Sequence, residues 1–161
     1  MSRRETGRGA FGVGLANLAS RISPFLIRDL KMSDALPPVE LLVCTTCRAG
    51  QPTDIEGPRP GTQLFNALKA SDLPAHVTVK PVECFSNCDF GCSITVRGGD
   101  ARWTYVYGNF TGADDAELVH DGVTKYAATT DGLVPWRERS IHFRKNCIAR
   151  IPPLEIPDVK S

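Results

Sequence analysis

Several things are scarce in this chain, and each scarcity closes off a class of function. No apolar run approaches the roughly 18 residues that a membrane-spanning helix needs. The formal net charge is only +1, and the body of the chain is weakly acidic. Nucleic acid and membrane surfaces are therefore not expected partners. There are only three histidines, His76, His120 and His142, and they are scattered. None recurs with a second histidine or a carboxylate at metal-ligand spacing, so surface or capping roles are expected for them. No phosphate loop, nucleophile–base pair or motif of paired acids is present, and no internal repeat is visible; an enzyme is not expected.

What charge asymmetry there is lies at the start. Residues 1–31 carry Arg3, Arg4, Arg8, Arg21, Arg28 and Lys31 against only Glu5 and Asp29. Arg3-Arg4 followed by the mildly apolar 10–19 has the outline of a signal peptide. Glu5 and Arg8 interrupt it, however, and no clean small-x-small cleavage site follows, so a cytoplasmic location is expected. Met32 could equally serve as the start, since Met-Ser-Asp-Ala-Leu-Pro-Pro leads straight into the first strand. Residues 1–38 are accordingly read as a disordered extension, of which the first 31 are expected to carry no function.

Against this background the six cysteines stand out. Five fall in two tight groups, Cys44 and Cys47 in Val-Cys-Thr-Thr-Cys-Arg, and Cys84, Cys88 and Cys92 in Glu-Cys-Phe-Ser-Asn-Cys-Asp-Phe-Gly-Cys. Without a secretory signal they are read as metal-binding or redox-active before they are read as disulfides. Two short loops, each offering at least two thiolates, can hold a soft metal ion or an iron–sulfur cluster.

The pattern along the chain predicts an α/β domain. Val39–Val43 reads as a buried strand ending at Cys44, and 48–61, rich in Gly and Pro, reads as a loop. Thr62 is placed to cap a helix with Leu64, Phe65 and Leu68 inward, ending before Pro74. Val77–Val82 is a second strand that delivers the chain to Cys84. Ile94–Val96 and Trp103–Tyr107 form a hairpin across 97–101, with Gly98 and Gly99 expected at positive φ. Thr111 reads as the N-cap of a helix with Leu118, Val119, Val123 and Tyr126 inward. Beyond Leu133, Pro135, Pro152, Pro153 and Pro157 argue against any long element apart from a short basic stretch at 137–146. The expected fold is a small thioredoxin-like mixed sheet, a βαβ unit plus a hairpin with flanking helices. The domain spans 39–130, with a Pro-rich basic tail over 131–161. Both cysteine groups then fall at the C-terminal ends of neighbouring strands, where open α/β sheets bind ligands.

From Cys84 onward the chain resembles the thioredoxin-like [2Fe–2S] ferredoxins and the small iron–sulfur subunit of complex I. The resemblance is carried by Cys84-x3-Cys88, Gly91, the hairpin with Trp103 and Tyr105, and the segment from Thr111 to Glu117; Val-Cys-Thr of the first strand matches too. Val-Cys-Thr-Thr-Cys-Arg, Val-Pro-Trp-Arg-Glu-Arg and Ile-Ala-Arg-Ile-Pro-Pro are similar to an uncharacterised bacterial family of predicted metal-binding proteins. Together these likenesses cover 39–157. They imply a [2Fe–2S] electron carrier held by Cys44, Cys47, Cys84 and Cys88, serving an unidentified redox partner protein, and a link to cobalamin biosynthesis. Two departures leave the ligand set open. The ferredoxins space their first two ligands more widely than x2. Cys92 stands where they tend to have proline, and it is an alternative fourth ligand.

Other readings remain beside this one. A set of four cysteine thiolates suits structural zinc in a metal-binding or metal-handling module. Cys44-Thr-Thr-Cys47 could be a thioredoxin-type dithiol, which wants its first thiolate at a helix N-terminus; the loop 48–61 separates the two. All six could be ordinary buried thiols. Cys147 is expected to be a small packed side chain. Trp103, Tyr105 and Tyr107 are expected to pack in the core or across strands. Arg137, Arg139, Arg144, Lys145 and Arg150 read first as a solvated tail, and second as a docking face for an acidic redox partner. Self-association into a homodimer stays open.

Overall fold

The computed structural model describes residues 36–54 and 56–154. The expected extension over 1–38 lies almost wholly outside them. Five strands form one sheet: β1 (Val39–Cys44), β2 (Val77–Val82), β3 (Cys92–Arg97), β4 (Thr104–Phe110) and β5 (Cys147–Ile151). Their spatial order is β2-β1-β3-β4-β5, with β1 and β2 parallel and every other pairing antiparallel. In the four strands from β2 to β4, β3 therefore runs opposite to the other three. That is the thioredoxin-like arrangement expected from the sequence. Among the described residues three helices accompany the sheet: α1 (Pro60–Ala70), α2 (Ala116–Ala127) and the short α3 (Ile141–Lys145).

Strand alternation builds the core. Val39, Leu41 and Val43 of β1 are fully buried on the face that also receives Ile94 and Val96 of β3 and Tyr105 and Tyr107 of β4. Leu64 and Leu68 of α1, Val119 and Val123 of α2 and Phe143 of α3 close the same cluster. Full burial of each aliphatic side chain there is worth about 1.5–3 kcal/mol. Glu40, on the opposite face of β1, bridges the sheet by pairing with Lys80 and with Arg97 at 2.7 Å.

Four local expectations are corrected. Thr62 does not cap α1; the helix starts two residues earlier, with Pro60 in its first turn, and the Thr62 hydroxyl instead donates to the Thr45 carbonyl at 2.9 Å. Thr111 does not cap α2 either. Its amide and hydroxyl both donate to the Asp115 carboxylate, at 2.6 and 2.8 Å, and a 3-10 turn (Ala113–Asp115) precedes the helix. In the hairpin only Gly99 has positive φ, at 61°. Gly98 is needed for a different reason, because a Cβ there would lie 2.5 Å from the Pro38 carbonyl oxygen. Finally, the segment read as a tail supplies β5, which pairs with β4 from Thr104↔Ile151 to Tyr107↔Cys147.

That pairing settles the basic stretch differently as well. Arg150 lies 3.8 Å over the Trp103 ring, Arg139 5.2 Å over Tyr105, and Arg144 5.9 Å over Trp136. Three of the five cations are thus laid on aromatic faces, a contact worth about 0.5–1 kcal/mol at exposed sites. Tyr105 and Tyr107 stack in parallel with centroids 5.6 Å apart, as packing residues should. Each histidine ring meets a backbone carbonyl of another segment, His76 at Ala127, His120 at Asp72 and His142 at Gly108.

Candidate functional site

The parallel pairing of β1 and β2 puts Cys44 opposite Val82, so the two cysteine loops leave the sheet side by side. The ladder continues past the strand ends. The Thr45 amide donates to the Val82 carbonyl at 2.8 Å and the Thr46 amide to Glu83 at 3.2 Å, while the two threonine hydroxyls donate to the same two carbonyls. From the other side, Arg59 donates to the Thr46 carbonyl at 3.1 Å and the Gly61 amide to the Cys47 carbonyl at 3.2 Å. A Cβ on Gly61 would come within 2.2 Å of the Cys44 carbonyl oxygen, so the helix can abut this loop only with glycine there. The Cys-x-x-Cys backbone is thus clamped between β2 and the start of α1.

Cys44, Cys47, Cys84 and Cys88 line one small, tightly filled pocket, together with Phe85, Asn87, Gly91 and Ser93. Cys44 and Cys47 form its buried floor; Cys84 and Cys88 form its exposed rim. Cys92, the fifth thiol, is not in the lining. It starts β3, is fully buried beside Cys47, and has its pKa raised by burial first and by the Cys47 thiol second. Cys147 lies apart on β5 and is exposed, not packed as expected.

Two sulfurs are addressed by backbone amides in the same way. The Ala49 amide donates to Cys47 Sγ at 3.3 Å, and the Ser86 amide donates to Cys84 Sγ at 3.1 Å. Each donor is two residues beyond its cysteine, and each has positive φ (49° and 57°) although neither is glycine. Left-handed backbone is disfavoured for residues with a Cβ, and such outliers concentrate at functional sites. The electrostatic consequence is visible at Cys84, whose thiol is held below its ordinary value chiefly by the Ser86 amide. At Cys88 the direction reverses, because the neighbouring Cys84 charge disfavours a second thiolate.

The pocket holds four soft donors and no competing carboxylate in its lining. A donor set of that kind suits zinc or iron–sulfur chemistry. Among the described residues no group of three or more His, Cys, Asp or Glu side chains is drawn together at metal-holding geometry. The thiols share a pocket rather than a closed coordination sphere. Sequence reasoning missed Phe85, Asn87 and Ser93. Asn87 Nδ2 donates to Ser93 Oγ at 2.9 Å and ties the second loop to β3. Gly91 had a readable signal, since its φ of 61° and a clash 2.8 Å from the Phe110 carbonyl oxygen admit only glycine.

The family described as "Protein of unknown function (DUF1636)" matches residues 41–153, from within β1 to just past β5. The chain belongs to this family. The matched region includes both cysteine loops and the segment that supplies β5. No curated protein and no solved structure matches the chain. No helix among the described residues is long and apolar enough to cross a membrane.

Proposed function

We propose that the chain is a thiolate metal protein of the ferredoxin-like kind, with Cys44, Cys47, Cys84 and Cys88 holding a [2Fe–2S] cluster for electron transfer. The observation that carries this reading is the matched pair of amide-to-sulfur bonds at Cys47 and Cys84, each made by a strained left-handed residue. Hydrogen bonds to ligand sulfurs orient them and stabilise negative charge, the supporting role that metal sites require. Structural thiols in a core need no such strain. When bound, a [2Fe–2S] cluster supplies one-electron chemistry.

The chain's own residues do the rest. Cys44 and Cys47, buried on the clamped loop, fix one pair of donors. Cys84 and Cys88, on the exposed loop, leave one side of the pocket open to a partner. Cys92 packs outside the pocket, and this favours the four-cysteine set without it. A dithiol oxidoreductase is the weaker reading, because the first free amide of α1 is spent on a carbonyl oxygen, not on sulfur. Zinc is the principal alternative, since the same four sulfurs would hold it in a metal-handling protein without redox work. A cytoplasmic setting fits the free thiols, and no catalytic residue is assigned. The link to cobalamin biosynthesis rests on sequence likeness alone.

Single Cys→Ser substitutions test the ligand set. In Cys44→Ser, Cys47→Ser, Cys84→Ser and Cys88→Ser, iron and visible absorption are expected to fall away, and in Cys92→Ser to persist. Loss of iron in Cys92→Ser but not in Cys88→Ser would replace the fourth ligand.

A further inference from the structure

Beside the thiol pocket, and sharing Cys88 with it, lies a second and larger depression. It is an open groove of about 430 Å³ lined by Thr46, Arg48, Ala49, Gly50, Gln51, Arg59 and Cys88. Its volume is that of a small-molecule site. Its only charged lining groups are two arginines. Neither is engaged in an ion pair among the described residues, although Asp54 and Glu56 stand in the loop between them. Arg59 is steadied by its bond to the Thr46 carbonyl, which occupies one guanidinium nitrogen and leaves the others free to donate.

The chemistry of the donors narrows the ligand. Phosphate sites at helix N-termini rely on free backbone amides. Here no residue of α1 lines the groove, Pro60 has no N–H, and the Gly61 amide is committed to Cys47. The charged and amide side-chain donors of the lining are two planar guanidinium forks and the exposed Gln51 side chain. Each fork can take the paired oxygens of one carboxylate, so that two forks suit a ligand with two. We propose that this groove is a binding subsite for a small dicarboxylate, seated against the exposed Cys88 side of the thiol pocket. The subsite is built by Arg48, Arg59 and Gln51 and does not depend on which metal, if any, the sulfurs hold. It also moves anion recognition from the tail, where Arg139, Arg144 and Arg150 lie on aromatic rings, to the pair beside the thiols.

Isothermal titration of the full-length chain with succinate, with the uncharged succinamide, and with inorganic phosphate at matched ionic strength tests this. Saturable binding is expected for succinate alone. Its dissociation constant should rise about tenfold or more in Arg48→Gln/Arg59→Gln, since two charge-assisted contacts are removed. It should be unchanged in Arg137→Gln, an exposed arginine outside the groove. Arg48→Gln by itself leaves the Arg59–Thr46 bond intact and guards against a folding artefact. Absence of saturable succinate binding, equal binding of phosphate, or equal affinity in the double variant would each overturn the subsite. Iron content measured on the same samples keeps the two readings apart. Iron without succinate binding sinks only the groove, and succinate binding without iron sinks only the cluster.

Discussion

Ala49 and Ser86 show how the site is made at the scale of single residues. Each gives up a favourable backbone region, at a cost of order 1–3 kcal/mol, to aim one amide at one sulfur. The outcome is a graded set of thiols. Cys84 is exposed and has its pKa lowered by the Ser86 amide; Cys88 is exposed and raised by the Cys84 charge; Cys92 is buried and raised. Because the thiolate is the nucleophile, iodoacetamide at neutral pH should alkylate Cys84 of the metal-free chain ahead of Cys88, and Cys92 last. Peptide mass mapping over a time course checks this, and a Cys88-first order would contradict it. None of this grading was legible beforehand. The spacing Cys-x3-Cys names the donors, but alanine and serine carry no sign that they will turn left-handed.

Glu40 gives a second residue-level expectation. Its bonds to Lys80 and then Arg97 hold its carboxyl below the ordinary range. A carboxylate with a lowered folded-state pKa contributes stability that is present above its unfolded value and lost as pH falls through the folded one. Glu40→Gln should therefore cost about 0.5–1 kcal/mol at pH 7, the scale of a partly exposed ion pair. The gap should close on acidification below the usual carboxylate range. Urea unfolding of both proteins at pH 7 and at low pH reads the difference.

Among the elements, α1 and β5 mark where the sequence was misleading and why. Pro60 and Gly61 look like loop residues, yet proline belongs in the first turn of a helix and glycine here permits close approach to Cys44. Sequence alone cannot distinguish a breaker from a starter when the reason lies in the carbonyl of Cys44, far back along the chain. Cys147–Ile151 is an edge strand with hardly any burial, so it shows no alternation to read. By contrast β2 was legible to the residue, because its alternation and its strand-compatible edge Pro81 are local properties. Gly61→Ala should displace the Cys-x-x-Cys loop, since backbone meets the new Cβ at 2.2 Å. A penalty above about 2 kcal/mol is expected. Phe143→Ala, which empties the space where α3 packs against Gly122, should cost about 3–5 kcal/mol. Thermal unfolding of each variant tests both, and a Gly61→Ala protein as stable as the parent would contradict the clamp.

For the whole molecule, the thioredoxin-like sheet does one thing that bears on function. It sends β1 and β2 out in the same direction and delivers two cysteine loops, well separated in sequence, to one edge where they wall one pocket. That juxtaposition was readable from strand order and from the rule that ligands gather at strand C-termini. Whether the four sulfurs hold an iron–sulfur cluster, as proposed, is the central question, and the chemistry of iron answers it most directly. The full-length chain, purified without oxygen, should be coloured, absorb in the visible, and contain roughly two irons with matching acid-labile sulfide per chain. A colourless protein carrying stoichiometric zinc would contradict the account.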